Sequence, residues 1–108
     1  MYRAPRDRLG DLRSAAFVAN RGAAAANRRK HGVSFEEAQS VVLDEDALLI
    51  PDEANDDEDR FILLGLSFSL RLLVVCHCYR SGLDVIRIIS ARPADRTERQ
   101  EYDRRRTR

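Results

Sequence analysis

Two strand-like runs in the second half of the chain are apolar except for one histidine and a few arginines, and these are the residues able to do chemistry. Arg71–Tyr79 and Leu83–Ala91 are rich in valine, isoleucine and leucine, which suit a pleated, half-buried surface. Ser81-Gly82 between them reads as a turn. His77 lies on the first run, and an imidazole with an ordinary pKa of about 6.5 fits acid–base work near neutral pH. Arg87 and Arg92 offer planar forks of N–H donors that clamp phosphate.

Alternation sorts these side chains. Leu72, Val74, Cys76 and Cys78 point one way, and Leu73, Val75, His77 and Tyr79 the other. On the second run Ile86, Ile88 and Ser90 share a face with Arg92, opposite Val85, Arg87, Ile89 and Ala91. With a three-residue loop, His77 faces Arg87 directly. Arg87 and Arg92 then serve one ligand only if a bulge intervenes or Arg92 lies past the strand end. Arg60 opens an earlier run, and whether it joins the His77 face depends on a register that the sequence leaves open. Beside the functional reading of His77 stands a plain one, a histidine hydrogen-bonded within a mixed sheet face.

Further candidates lie outside the hairpin. Glu98 is explained as the partner of Asp95 in a capping box. Tyr102, one turn on, either positions a base or donates a proton, or else packs against the sheet. His31 and Lys30 close a helix whose last turn favours cations, and Lys30 is a candidate phosphate contact. Arg104, Arg105 and Arg106 supply backbone affinity for a polyanion or form a solvated tail. No metal or cofactor is expected. Cys76 and Cys78 cannot share a zinc ion with His77, which points to the other face, and the acidic run Asp52–Asp59 lacks the glycine and glutamate of a calcium loop.

These residues need a scaffold. Asn20–His31 reads as a helix, with a capping asparagine, an alanine run and Gly32 beyond its end. Ser34 caps a second helix, with Glu37 as box partner and Phe35, Ala38, Val41 and Val42 as its apolar stripe. Ala47–Ile50 and Arg60–Ser67 read as strands, with Phe68–Leu70 turning into the hairpin. Pro93 halts the sheet, and Arg96 to about Arg106 forms an almost wholly polar helix. The expected fold is α+β: two N-terminal helices, a four-stranded mainly antiparallel sheet and a C-terminal helix, with the helices on one side. Residues 1–16 read as a flexible leader and 17–108 as one domain.

Composition agrees with a soluble globular chain: 108 residues, 44% hydrophobic, 34% charged, net charge +1. No apolar run is long enough for a membrane span, and a cytoplasmic site is the expectation. Two cysteines on one strand are poorly placed to bridge each other. The charges are segregated, with basic residues concentrated at both ends and half of the 18 acids between Asp44 and Asp59.

Five blocks in order carry a family resemblance: NRRKHGVSFEEAQ (27–39), RFILLG (60–65), LLVVCHCYR (72–80), IRIISAR (86–92) and the ERQEY tail (98–102). Together they resemble the BrnT toxins, over about residues 17–102. The resemblance implies a RelE-like fold and a ribonuclease toxin of a bacterial type II toxin–antitoxin pair. It also implies a BrnA-like ribbon-helix-helix antitoxin that forms a hetero-oligomer with the toxin and represses the operon. Metal-free RNA cleavage needs a base for the ribose 2′-hydroxyl, an acid for the leaving oxygen and cations for the phosphorane. On this reading His77, Arg87, Arg60, Glu98 and Tyr102 are the catalytic candidates, and Arg92, Lys30, Arg104 and Arg105 the RNA-binding ones. The chain departs from the family pattern at Ala19, where tryptophan is usual, and at Ala23, where lysine is usual. Losing a buried tryptophan costs about 3–5 kcal/mol, unless Phe17 or Val18 substitutes. The rival readings are an impaired copy that only pairs with an antitoxin and co-represses, and an RNA-binding domain without catalysis. The latter lacks the strand aromatics on which bases stack.

Overall fold

The computed structural model describes residues 16–52, 60–80 and 85–106, and of Arg80 the backbone alone. Seven of the expected elements are present and one more is added. Helix α1 (Arg21–His31) begins where the Asn20 side chain accepts from the Ala23 N–H at 3.1 Å. It ends at Gly32, whose φ of 70° is the left-handed conformation that glycine adopts without a Cβ penalty. Helix α2 (Phe35–Ser40) follows its Ser34 cap and tightens into a 3-10 turn, Val41–Leu43. Strands β2 (Leu48–Pro51), β3 (Arg60–Leu66), β4 (Leu72–Arg80) and β5 (Val85–Pro93) precede α3 (Arg96–Arg106).

The added element is β1 (Ala16–Val18), which pairs parallel with β5. The sheet is therefore five-stranded and mixed, in the order β1-β5-β4-β3-β2, rather than four-stranded. Of the expected leader, residues 1–15 lie outside the described residues and Ala16 opens β1. The acidic stretch 53–59 and the turn 81–84 also lie outside them.

Both sheet faces are covered, not one. On the first face, Phe61, Leu63, Leu73, Val75, Ile86, Ile88 and Ala91 pack against Val33, Phe35, Ala38, Val41 and Val42 from the N-terminal helical segment. On the second, Tyr102 of α3 packs on Leu64, Leu72 and Val74. A helix with no apolar stripe gives no sequence signal for the side it takes, and α3 is docked by this single aromatic residue. Phe17 reaches the first core, as the candidate substitute for tryptophan, while Val18 is 41% exposed. Ala19 is itself exposed, so the residue change there leaves no enclosed cavity.

Polar side chains join the layers. Asn27 is buried on α1 and donates to Val33 O (3.0 Å) and Ala91 O (2.9 Å), while accepting from Ala91 N (3.0 Å). It thus satisfies the backbone of β5 beyond the end of β1. Glu37 does not reach back to close the box at Ser34. Its carboxylate turns to Arg71, Ser67 and Ser69, which together offer it more donors than one backbone N–H. Gly65 lies where a Cβ would stand 2.9 Å from Val41 Cγ1 and 3.0 Å from Asp44 Oδ2, so a side chain there would push the 3-10 turn off the sheet.

Candidate active site on the arginine-bearing sheet face

The hairpin register decides the site. Arg80 pairs with Val85 and Cys78 with Arg87, so His77 stands opposite Ile88 and not opposite Arg87. A one-residue slip of register exchanges the faces of a strand, and that is the correction here. A bulge then follows: Cys76 pairs with Ser90 while His77 pairs with Ile88, leaving Ile89 as the extra residue. Alternation on β5 restarts across it. Ile86, Ile88 and Ala91 face the helical core, while Arg87, Ser90 and Arg92 share the opposite face. The bulge that Arg87 and Arg92 require in order to act together is present.

Arg60 completes the set. It pairs with Cys78, which pairs with Arg87, so one cross-strand row on the second face runs Arg60, Cys78, Arg87. Neighbouring strands lie about 4.8 Å apart, so the two arginines flank a small residue over roughly 10 Å, within the reach of both guanidinium groups. Cys78 is buried beneath them. The next row is Ile62, Cys76 and Ser90, and beyond it Leu64, Val74 and Arg92 lie toward the end covered by α3. Arg60 Nε is buried without a hydrogen-bond partner among the described residues, and so is Arg105 Nε on α3.

Arg92 and Glu98 form a two-pronged ion pair, with Nη1–Oε1 at 2.8 Å and Nη2–Oε2 at 2.7 Å. The capping box is also made, because Glu98 N donates to Asp95 Oδ1 and Asp95 N to Glu98 Oε1, both at 2.8 Å. The Arg92 guanidinium, and then the Asp95 N–H, hold the Glu98 carboxyl below the usual carboxylate range against its partial burial. Glu98 therefore holds Arg92 to the α3 end of this face.

Other candidates are placed elsewhere. His77 is 1% exposed on the helix-covered face, with Phe61 and Tyr79 at ring-centroid distances of 6.3 and 5.7 Å. Its Nδ1 lies 3.3 Å from Val75 O, and a carbonyl can only accept, so Nδ1 carries the proton. Burial then pushes its pKa down from 6.5 to about 4, against the Val75 bond. At neutral pH it is an uncharged wall of the core, and it does not meet the arginines. Tyr102 donates to Asp44 Oδ2 at 2.6 Å, and the same oxygen accepts from Leu66 N at 2.8 Å. Six strand residues from Leu66 to Arg60 span roughly 20 Å. Burial and the Asp44 carboxylate push the phenol well above its ordinary value, so the group acts as a docking latch for α3. Tyr102→Phe is expected to cost about 1–2 kcal/mol in thermal or chemical unfolding, the size of one charge-assisted bond. Lys30 is exposed at the end of α1, which packs on the other face, and His31 is half-buried beside Gly32. Arg104 pairs with Glu101 at 3.1 Å on the exposed side of α3.

One residue of this face escapes a sequence reading. Asp52 N donates to Arg60 O at 3.0 Å, extending the Arg60 row by one strand, and its Oδ2 is 3.8 Å from Cys76 Sγ. The sequence shows it only as the first of a run of acids. Burial and the nearby Asp52 carboxylate raise the Cys76 thiol, so it stays protonated. Among the described residues no three histidine, cysteine or acidic side chains gather as metal ligands, and no helix is long and apolar enough to cross a membrane.

A mixed sheet with helices on both faces, one of them leaving a row of arginines open, defines a small α+β protein with a cationic face suited to a polyanion. A family model described as the ribonuclease toxin BrnT of type II toxin–antitoxin systems matches residues 20–98, and the chain belongs to that family. The crystal structure of the Brucella abortus ribonuclease toxin BrnT is similar in fold, with a TM-score of 0.60. The two chains are 21% identical, over 76% of this chain and 99% of that one. No curated protein sequence matches the chain.

Proposed function

We propose that this chain is an active endoribonuclease, which cuts RNA without a metal ion through attack of a ribose 2′-hydroxyl on the adjacent phosphorus. The observation that carries this reading is the β5 bulge, which turns Arg87 and Arg92 to one face with Arg60. Arg60 and Arg87, in one cross-strand row, can hold a phosphodiester and neutralise the charge that grows on its oxygens as the phosphorane forms, while Arg92, paired with Glu98, lies further along the same face. RNA is favoured over DNA because the 2′-hydroxyl is the nucleophile. The antitoxin of the pair is a BrnA-like ribbon-helix-helix protein that forms a hetero-oligomer with this chain.

A second reading, an impaired copy that only pairs with the antitoxin and co-represses the operon, is favoured by one observation. The histidine of the hairpin is buried on the far side of the sheet from the arginines. Expressing the chain alone separates the two. The ribonuclease reading expects growth arrest with cleaved cellular RNA. It also expects cleavage to fall by at least about tenfold, the loss of one charge-assisted contact, in an Arg87→Ala variant that melts with the parent. Intact RNA and normal growth, with a folded parent that still binds its antitoxin, would establish the second.

A further inference from the structure

We infer that Asp52 is the general base of this face, the group that takes the proton from the attacking 2′-hydroxyl; this rests on the ribonuclease reading above. The argument begins with position. The Asp52–Arg60 backbone bond puts Asp52 at the end of the row that continues through Arg60, Cys78 and Arg87. Its carboxylate leans over the floor of the face, reaching the Cys76 thiol at 3.8 Å. Arg60 is paired with Asp52 on one side and with Cys78 on the other, so the two residues of opposite charge stand side by side at the Cys76–Cys78 end of β4. A carboxylate beside a phosphate clamp is what proton abstraction at phosphorus requires.

The remaining candidates lie off this row. Glu98 spends both oxygens on Arg92 and one also on the Asp95 N–H. Tyr102 is bonded to Asp44 at the other end of the sheet. His77 is on the opposite face, and the Cys76 thiol is held protonated. Among the described residues, Asp52 is the carboxylate that the fold delivers to the arginine row.

The step balances without a cofactor. Asp52 accepts the 2′-hydroxyl proton as the O2′–P bond forms. The P–O5′ bond breaks, the 5′-oxygen leaves with a proton drawn from solvent water, and the protonated Asp52 returns its proton to the hydroxide so formed. The products are a 2′,3′-cyclic phosphate and a 5′-hydroxyl, and Arg60 and Arg87 hold the non-bridging oxygens throughout.

The test uses the full chain, with a synthetic oligoribonucleotide spanning a cut mapped with the parent protein. Single-turnover rates are followed against pH for the parent, Asp52→Asn and Asp52→Glu. Affinity is measured on the same oligonucleotide with a 2′-deoxy sugar at the cut. Asp52→Asn is expected to slow cleavage by about 100-fold or more, the usual range for a lost general base. It should also flatten the acidic limb of the rate profile while holding affinity within about threefold. Asp52→Glu should recover part of the rate together with that limb. A rate for Asp52→Asn within about threefold of the parent, with the same profile, overturns the assignment and leaves the ribonuclease reading standing. A loss confined to affinity makes Asp52 a binding residue and also overturns it. A parent that cuts no RNA removes the ribonuclease reading and the base with it.

Discussion

Glu37→Ala is expected to lower the free energy of unfolding by about 3 kcal/mol, a large part of what a domain of this size possesses. Glu37 is buried on α2, and its Oε2 accepts from Arg71 Nε (2.9 Å), Ser67 Oγ (2.6 Å) and Ser69 Oγ (2.6 Å). Oε1 accepts from Arg71 Nη2 at 2.5 Å, and that nitrogen also donates to Gly32 O at 3.0 Å. One carboxylate thus binds the end of α1, the body of α2 and the β3–β4 turn into a unit. Removing it leaves a guanidinium and two hydroxyls without their acceptor. The Arg71 side chain is 40% exposed, so water recovers part of the loss, and the figure sits at the lower end for a broken buried pair.

The same cluster sets a pH dependence. The hydrogen-bonded Arg71 guanidinium, helped by the serines and opposed by burial, holds the Glu37 carboxyl down from 4.5 to about 2. A carboxyl lowered on folding stabilises fully above its unfolded value, and that contribution is lost as the pH falls through the folded one. The parent should therefore lose stability between about pH 4.5 and 2 more steeply than Glu37→Ala, as chemical denaturation at stepped pH would read. Equal slopes, or a cost under about 1 kcal/mol at neutral pH, would mean that solvent screens the cluster.

What the sequence makes legible is local. Asn20, Ser34 and the Asp95–Glu98 pair are recognisable as caps because each bond spans three residues. The two faces of β4 follow from alternation alone. The β5 partner of Asn27 and the arginine partner of Glu37, by contrast, lie 64 and 34 residues away, where no spacing rule reaches. Asn27 inside a helix reads as a poor helix former, and its reason is a strand whose backbone it completes. β1 is three residues long and parallel, too short for a pattern. The site was legible in its residue types but not in its assembly. Arg60, Arg87 and Arg92 could be named, yet the face they share depends on the hairpin register and on one extra residue, Ile89, in β5. The same register takes His77 off the arginine-bearing face and puts Asp52, which an acidic run conceals, beside Arg60.

His77 makes that register measurable. Acidification from pH 6.5 to about 4 is expected to remove about 3 kcal/mol of stability, at about 1.4 kcal/mol per pH unit. The sign follows from which state takes the proton first. Burial holds the folded imidazole at about 4, while the unfolded one titrates near 6.5. Above 6.5 both states are neutral; below it the unfolded chain gains a proton that the folded chain refuses, until the folded chain titrates in turn. This window overlaps that of Glu37 only between about pH 4.5 and 4, so the two can be separated in one titration. His77→Phe keeps a flat ring against Phe61 and Tyr79 and gives up only the 3.3 Å bond to Val75 O and an Nε2 that has no partner among the described residues. The upper limb of the stability profile should then flatten, and any RNA cleavage at neutral pH should persist, because the proposed chemistry is on the other face. A variant that keeps the parent's acid slope would show that His77 is not buried neutral. One that folds like the parent but no longer cuts RNA would return the histidine to the site.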